Sequence, residues 1–385
     1  MPFGTGSAGE DFRRDERKDE RKERRAGNRC GQERKMNSRE RIMTAAKGGK
    51  PDIVPAFPYI GNYGAAVAGV PIGKYIMDGK VMAEAQLKAW ELLKLDGVVA
   101  QSDNYYMAEG FGCKTLIQEN SVPQCLEPAL KRLEDVDKLK EIDPYSGRMG
   151  VYIEAASILK EKLGNEIAIR TCGTGCFSLA GHVLGMENFI NEIVFAEADE
   201  DEERQELLLQ LMEKTSDALI AFDTAIIKAG SDFANCGDSA ASLDLISPAI
   251  YEKYAWPFEK KVFSALKPVC EEYGAAIELH ICGNTKPILK KMSETGADII
   301  EIDHKVPMKE AREIVGDRIC LKGNLDPIEV LMNGSEELVE EFSRRAIEDA
   351  GKNGAFILGS GCEVAVQTPV RNIVRLRETA HGYRY

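Results

Sequence analysis

The stretch Glu278-Leu279-His280-Ile281-Cys282-Gly283-Asn284-Thr285 sets an imidazole and a thiol two residues apart in a run that reads as a strand. Residues i and i+2 of a strand point to the same side, so His280 and Cys282 share a face. Both sit where the strand ends, beside a glycine and the start of a helix. Nitrogen and sulfur side by side suit Zn²⁺, which takes mixed N and S ligands tetrahedrally; a packed histidine next to a buried thiol is the plain alternative. A second segment, Phe356-Ile357-Leu358-Gly359-Ser360-Gly361-Cys362-Glu363, is a buried strand running into a glycine-flanked turn that carries Cys362. If both strand ends open on one mouth, His280, Cys282 and Cys362 give three ligands. The fourth position is then left for water or substrate, which is how catalytic zinc differs from closed structural zinc.

The elements that must position these residues are short apolar runs at 53–57, 97–101, 166–171, 232–236, 276–281, 298–302, 319–322 and 356–358. Amphipathic helical patterns lie between them, at 81–94, 202–229, 248–273, 287–294 and 336–350. Most strands end in Gly, Asn, Asp, Cys or Ser, and a helix follows. Eight such β-then-α units predict an α/β fold, a (β/α)₈ TIM barrel, with its chemistry at the C-terminal ends of the strands. An open doubly wound sheet would announce a Gly-rich phosphate turn after its first strand. That place reads Pro58-Tyr59-Ile60-Gly61-Asn62-Tyr63-Gly64, with no such turn. A long insertion after strand 2, residues 102–147, contains a predicted hairpin of 113–119 against 123–126, on the face where barrels put recognition. Residues 1–35 differ: 11–25 are almost all charge, cannot bury a core, and are expected to form a disordered or solvated, dispensable extension. Residues 36–385 are expected to form a single catalytic domain.

Lys+Arg 50 against Asp+Glu 63 gives a net charge of −13. A surface this acidic repels phosphate backbones and anionic lipid, which excludes nucleic acid and membrane surfaces as partners. No apolar run approaches the ~20 residues that cross a bilayer, and the charged N-terminus is no secretory signal. The 10 cysteines are therefore expected to be thiols rather than a disulfide scaffold, in a cytoplasmic protein.

Over nearly all of residues 36–381 the chain resembles the uroporphyrinogen decarboxylase superfamily. The similar segments are Val99-Ala100-Gln101-Ser102-Asp103, Thr174-Gly175-Cys176-Phe177-Ser178-Leu179-Ala180, Gly237-Asp238-Ser239 through Ile246-Ser247-Pro248, Lys322-Gly323-Asn324-Leu325-Asp326-Pro327, and the Gly359-Ser360-Gly361 turn. The resemblance implies a (β/α)₈ barrel. Its details are similar to the methyltransferase branch, typified by methylcobamide:coenzyme M methyltransferases, whose zinc motif H-x-C…C is matched by His280, Cys282 and Cys362. The decarboxylases carry arginines just after the first strand to grip propionates. Here no arginine occurs between Arg41 and Arg132, and a substrate rich in carboxylates needs guanidinium forks.

The resemblance thus implies a zinc-dependent methyltransferase that moves a methyl group between a methyl-cobalt corrinoid and a small acceptor, a zinc-activated thiol such as coenzyme M. A separate corrinoid protein is the implied partner, since the chain has no corrinoid-binding D-x-H-x-x-G segment. Two rivals are a uroporphyrinogen decarboxylase-like lyase and a non-catalytic zinc-containing barrel. Catalytic roles are assigned to Asp238 and Asp103, and substrate contact to Tyr59, Asn62, Gln101, His182 and Ser360. Asp238 reads either as a fourth, displaceable ligand or polar contact, or as a turn or helix-capping residue. Asp303 and His304 read as supports of the metal site or as solvated loop residues, and Cys172 and Cys176 as packing thiols.

Overall fold

Short runs such as Ala168–Thr171 and Ile299–Ile302 are buried at every residue, the mark of strands covered on both faces by helices. The computed structural model describes residues 35–385; the charged segment expected at 1–35 lies, but for its last residue, outside the described residues. The strands are β1 (Gly97–Ala100), β2 (Lys114–Leu116), β3 (Gln124–Glu127), β4 (Ala168–Thr171), β5 (Phe233–Gly237), β6 (Ala276–Ile281), β7 (Ile299–Ile302), β8 (Cys320–Leu325) and β9 (Phe356–Ser360). β5 to β9 pair in parallel, in chain order, and β1 pairs in parallel with β4.

Hydrogen bonds complete the ring. Asp232 N–H donates to Ile169 O (2.8 Å) and Gly237 N–H to Gly173 O (2.8 Å), which joins β4 to β5. The predicted first strand at 53–57 is an extended segment bonded on both sides. Phe57 N–H reaches Leu358 O (2.8 Å), Leu358 N–H reaches Pro55 O (2.9 Å), and Asp96 N–H reaches Ala56 O (3.1 Å). Eight parallel staves therefore close into a TIM barrel. The hairpin also forms, with β2 antiparallel to β3 inside the insertion after the second stave.

At the opposite end from the mouth, three aspartates just before strands clamp the preceding stave. Asp96 accepts Ala56 N–H (2.8 Å), Asp232 accepts Ile169 N–H (2.8 Å) and Asp298 accepts Ile277 N–H (2.9 Å). Each is also held by a cation, Arg41 at 3.3 Å, Arg39 at 2.7 Å and Lys267 at 2.8 Å respectively. This is the face where barrels place stability rather than catalysis.

The helical patterns at 81–94 and 202–229 appear as Gly79–Leu93 and Glu202–Ala229. Further helices lie outside these patterns, among them Gly61–Ala68, Gly147–Leu163 and Val370–Gly382. The second has a regular buried stripe at Arg148, Met149, Tyr152, Ala155, Ala156 and Leu159. The stripe opens on an arginine, so a search for apolar periodicity does not see it.

Candidate metal centre and active site

β6 ends at Ile281 and β9 at Ser360, so Cys282 and Cys362 each lie just past a strand end at the mouth. His280 Nε2 lies 3.0 Å from Cys282 Sγ, and the two sulfurs lie 3.5 Å apart. The three ligand atoms all fall within 4.8 Å of one another, the only such group among the described residues. A tetrahedral zinc with bonds of about 2.0 Å to nitrogen and 2.3 Å to sulfur needs ligand separations of roughly 3.5–3.8 Å. The observed spacings fit with small adjustment, so the donor set suits a soft divalent ion.

The electrostatics favour the same conclusion. The hydrogen bond shared by Cys282 and Cys362, together with the adjacent His280, draws the Cys282 thiol well below its ordinary value despite burial. Burial opposes a charged His280, but the sulfur of Cys282 and the carboxylate of Glu301 outweigh it and push the ring up to about 9. The cluster favours ionised sulfur, and a metal cation there would let both sulfurs ionise.

Backbone features fix the ligands. Gly283, immediately after Cys282, has φ +83°, and a side chain there would run into Ser242 Oγ at 2.5 Å and Asp244 Oδ2 at 2.6 Å. Its N–H donates to Asp303 Oδ2 (2.8 Å), which makes Asp303 a support of the turn that carries Cys282. Gly361 likewise leaves room for His304, whose backbone nitrogen would lie 2.5 Å from a Cβ at 361. His304 itself is partly exposed, between Asp303 at 3.0 Å and Asp326 at 3.4 Å.

Below the cluster, the barrel interior holds a buried ionic lattice. Arg170 contacts Glu278 (2.9 Å), Glu301 (3.4 Å) and Gln101 Oε1 (2.7 Å). Lys322 contacts Glu278 (3.1 Å) and Glu301 (2.8 Å). His280 Nδ1 lies 3.3 Å from both the backbone O and the Oε2 of Glu301. A carboxylate on Nδ1 turns the other ring nitrogen, Nε2, toward the sulfurs and raises its basicity as a ligand. Replacing Glu301 with Gln keeps the shape and removes the charge. Zinc affinity, measured by chelator competition, is expected to fall about 10- to 100-fold; unchanged affinity would remove Glu301 from the support of the site.

The uroporphyrinogen decarboxylase (URO-D) family matches residues 37–383. The methylcobamide:CoM methyltransferase MtbA of Methanosarcina mazei is 35% identical over 309 residues, 80% of this chain and 86% of that one. This chain belongs to the URO-D family. Within the family it is an enzyme of the methyltransferase branch. A methylated-thiol–coenzyme M methyltransferase of the same organism is 26% identical over 345 residues, 88% of each chain. The chloroplastic uroporphyrinogen decarboxylase of Nicotiana tabacum is 26% identical over 79% of this chain and 75% of its own. A solved methyltransferase structure from Methanosarcina mazei superposes with a TM-score of 0.79 at 24% identity, over 90% of this chain and 98% of that one, which supports the fold.

Not every site residue expected of a URO-D family member stands free to act. Asp238 is fully buried, and its oxygens accept Phe177 N–H (3.1 Å) and Ser178 N–H (2.7 Å) at the start of the helix Cys176–Leu184. These bonds give Asp238 a helix-capping role. Both oxygens of Asp103 meet the guanidinium of Arg148, which also grips Glu109. It anchors the insertion to the barrel. The polar atoms of Gln101 and Ser360 face inward as struts. Gln101 accepts from Arg170 (2.7 Å), and Ser360 Oγ accepts Tyr59 N–H (3.1 Å).

Asn62 ties down the loop after β1, accepting from Ser102 Oγ (2.7 Å) and donating to Ser102 O (3.2 Å). The Tyr59 ring covers the Arg170 guanidinium at 4.7 Å. His182 stacks on Tyr105 with centroids 4.5 Å apart and stands outside the metal group. Burial lowers its ring to about 4. Cys172 and Cys176 are fully buried and also outside that group. One residue the motifs did not point to is Glu363, next to Cys362. Its Oε1 accepts Asn62 N–H (2.8 Å), and burial pushes the carboxyl up to about 7.

Proposed function

We propose that this enzyme transfers a methyl group between a methyl-cobalt corrinoid, carried by a separate protein, and a small thiol. In this reading His280, Cys282 and Cys362 hold a catalytic zinc ion. The observation that carries it is the convergence of one imidazole and two thiols, from β6 and β9, at the mouth of a barrel. Relatives named for methylcobamide and CoM support the reading.

Zinc bound there would supply the positive charge that keeps an acceptor sulfur ionised at neutral pH, where a free thiol of pKa ~8.5 is mostly protonated. The chain's own residues do the positioning. Glu301 orients His280, Gly283 and Asp303 fix Cys282, and Ser360 and Asn62 hold the Tyr59 loop against the last stave and the loop after β1. Three protein ligands leave an open place beside the sulfurs, which a closed structural site would not. In the transfer, sulfur takes the methyl carbon and cobalt keeps the bonding pair. Ligand thiols must stay reduced, and every described cysteine is free, so a reducing cytoplasm is the compartment this chemistry calls for.

The test is anaerobic incubation of zinc-loaded protein with methylcobalamin and 2-mercaptoethanol, read by the cob(I)alamin absorbance. The expected result is transfer well above the protein-free rate that vanishes when a chelator strips the metal. Transfer no faster than the protein-free rate, with turnover of uroporphyrinogen in its place, would hand the site to the decarboxylase alternative.

A further inference from the structure

Among the described residues Cys113, Cys172, Cys176, Cys236, Cys270 and Cys320 are buried, and only Cys125, Cys282 and Cys362 are part-exposed thiols. Cys125 stands on the β2–β3 hairpin, across from Thr115. Cys282 and Cys362 stand together, with their sulfurs 3.5 Å apart. A disulfide holds its sulfurs at about 2.05 Å, so the pair lies about 1.5 Å short of bonding distance. Rotation about the two Cα–Cβ bonds can close that gap. The two residues are 80 positions apart in the chain and follow β6 and β9, which do not pair with each other. Closure of the ring is what brings the sulfurs face to face.

The turns that carry the two sulfurs keep them there. Gly283 N–H on Asp303 (2.8 Å) pins the first. Gly361 N–H donates to Leu325 O (2.8 Å) and Val364 N–H to Tyr59 O (2.8 Å), which pins the second on both sides of Cys362. Two thiols held at this range meet at a high effective concentration. A sulfur oxidised at one position is therefore captured by the other before oxidation climbs further. The same sulfurs are the soft donors of the candidate metal centre. Once joined they offer no thiolate, and His280 is the one ligand of the group that remains, too few to retain a zinc ion.

We propose that Cys282 and Cys362 form a reversible oxidative switch, in which a peroxide joins the two sulfurs, releases the metal and shuts the site. One sulfur attacks a peroxide oxygen, the O–O bond breaks, and a sulfenic acid and one water form. The second sulfur attacks the sulfenic sulfur, the S–O bond breaks, and a second water leaves as the disulfide forms. Two electrons pass from the sulfur pair to hydrogen peroxide, and the two thiol protons (or two from solvent, where the sulfurs start on the metal) end in the waters. A dithiol reverses the step by exchange through a mixed disulfide. This rests on the reading of the three residues as zinc ligands and adds a control to it: the site closes when its compartment turns oxidising.

The experiment treats the zinc-loaded full chain, freed of reductant, with a molar excess of hydrogen peroxide. Released zinc is followed with a colorimetric chelator, and disulfides are located by mass spectrometry of unreduced peptides. The expected result is a crosslink between Cys282 and Cys362, the loss of two hydrogens per chain and release of the bound zinc, about one ion per chain. Dithiothreitol followed by fresh zinc should restore both thiols and the metal. In Cys362→Ser, where the second sulfur is gone, Cys282 should pass on to the sulfinic acid, which dithiothreitol does not reverse. A wild type in which Cys282 or Cys362 goes to the sulfinic acid, pairs with another cysteine or stays reduced overturns the proposal. The wild-type map decides on its own if the variant does not fold. A crosslink formed in protein that never held zinc would uphold the sulfur couple and count against the metal reading, so the two fail separately.

Discussion

Replacing Cys282 or Cys362 with alanine is expected to take bound zinc from about one ion per chain to none that survives gel filtration, because a three-ligand site cannot spare one. Methyl transfer from methylcobalamin should fall with it to the protein-free rate. Both sulfurs belong to one cluster, 3.5 Å apart, so the double variant should be no worse than either single one. This non-additivity separates a shared metal from two independent packing thiols. The fold should survive, since Cys282 and Cys362 are only part-buried and the staves that carry them are held by backbone pairing. Far-UV circular dichroism and the unfolding midpoint check that. Variants that keep full zinc and full activity would end the ligand assignment.

The second large effect lies beneath the site. Arg170 is almost wholly buried and touches Glu278, Glu301, Gln101 and the Tyr59 ring. Arg170→Met removes one of the two basic side chains that bridge Glu278 and Glu301 and leaves Lys322 as the only bridge between them. Breaking a buried ionic network in this way costs about 3–5 kcal/mol, because the abandoned charge keeps its desolvation penalty. Urea unfolding should show that loss, and adding Glu278→Gln to Arg170→Met should recover part of it. A loss below about 1 kcal/mol, within the range of ordinary surface changes, would mean that water or a rearranged Lys322 satisfies the interior.

The ring of staves was legible from the sequence because each buried run is short, apolar and followed by a turn residue and a helix. The strand end at Ile281 came with it, while the last stave runs two residues past the predicted 356–358, to Ser360; these two ends bring His280, Cys282 and Cys362 together. What stayed hidden depends on tertiary pairing. The ionic lattice could have been suspected, since Glu278 shares the parity of His280, and Arg170, Glu301 and Lys322 each interrupt an apolar strand. Which of them pair is decided by barrel closure, and no local spacing encodes it. The partners of Asp238 and Asp103 stayed hidden for a related reason. A carboxylate after a strand looks alike whether it awaits a substrate or caps a helix, and only the partners, Phe177 and Ser178 for one and Arg148 for the other, tell these apart.

The three aspartates that clamp neighbouring staves at the far end of the barrel have a practical consequence for engineering. They fix strand order and register through contacts at the end of the staves away from the rim, so the ring does not rely on its upper loops to stay assembled. Rim segments such as the β2–β3 hairpin can therefore be exchanged for those of a relative while the foundation beneath them keeps its shape.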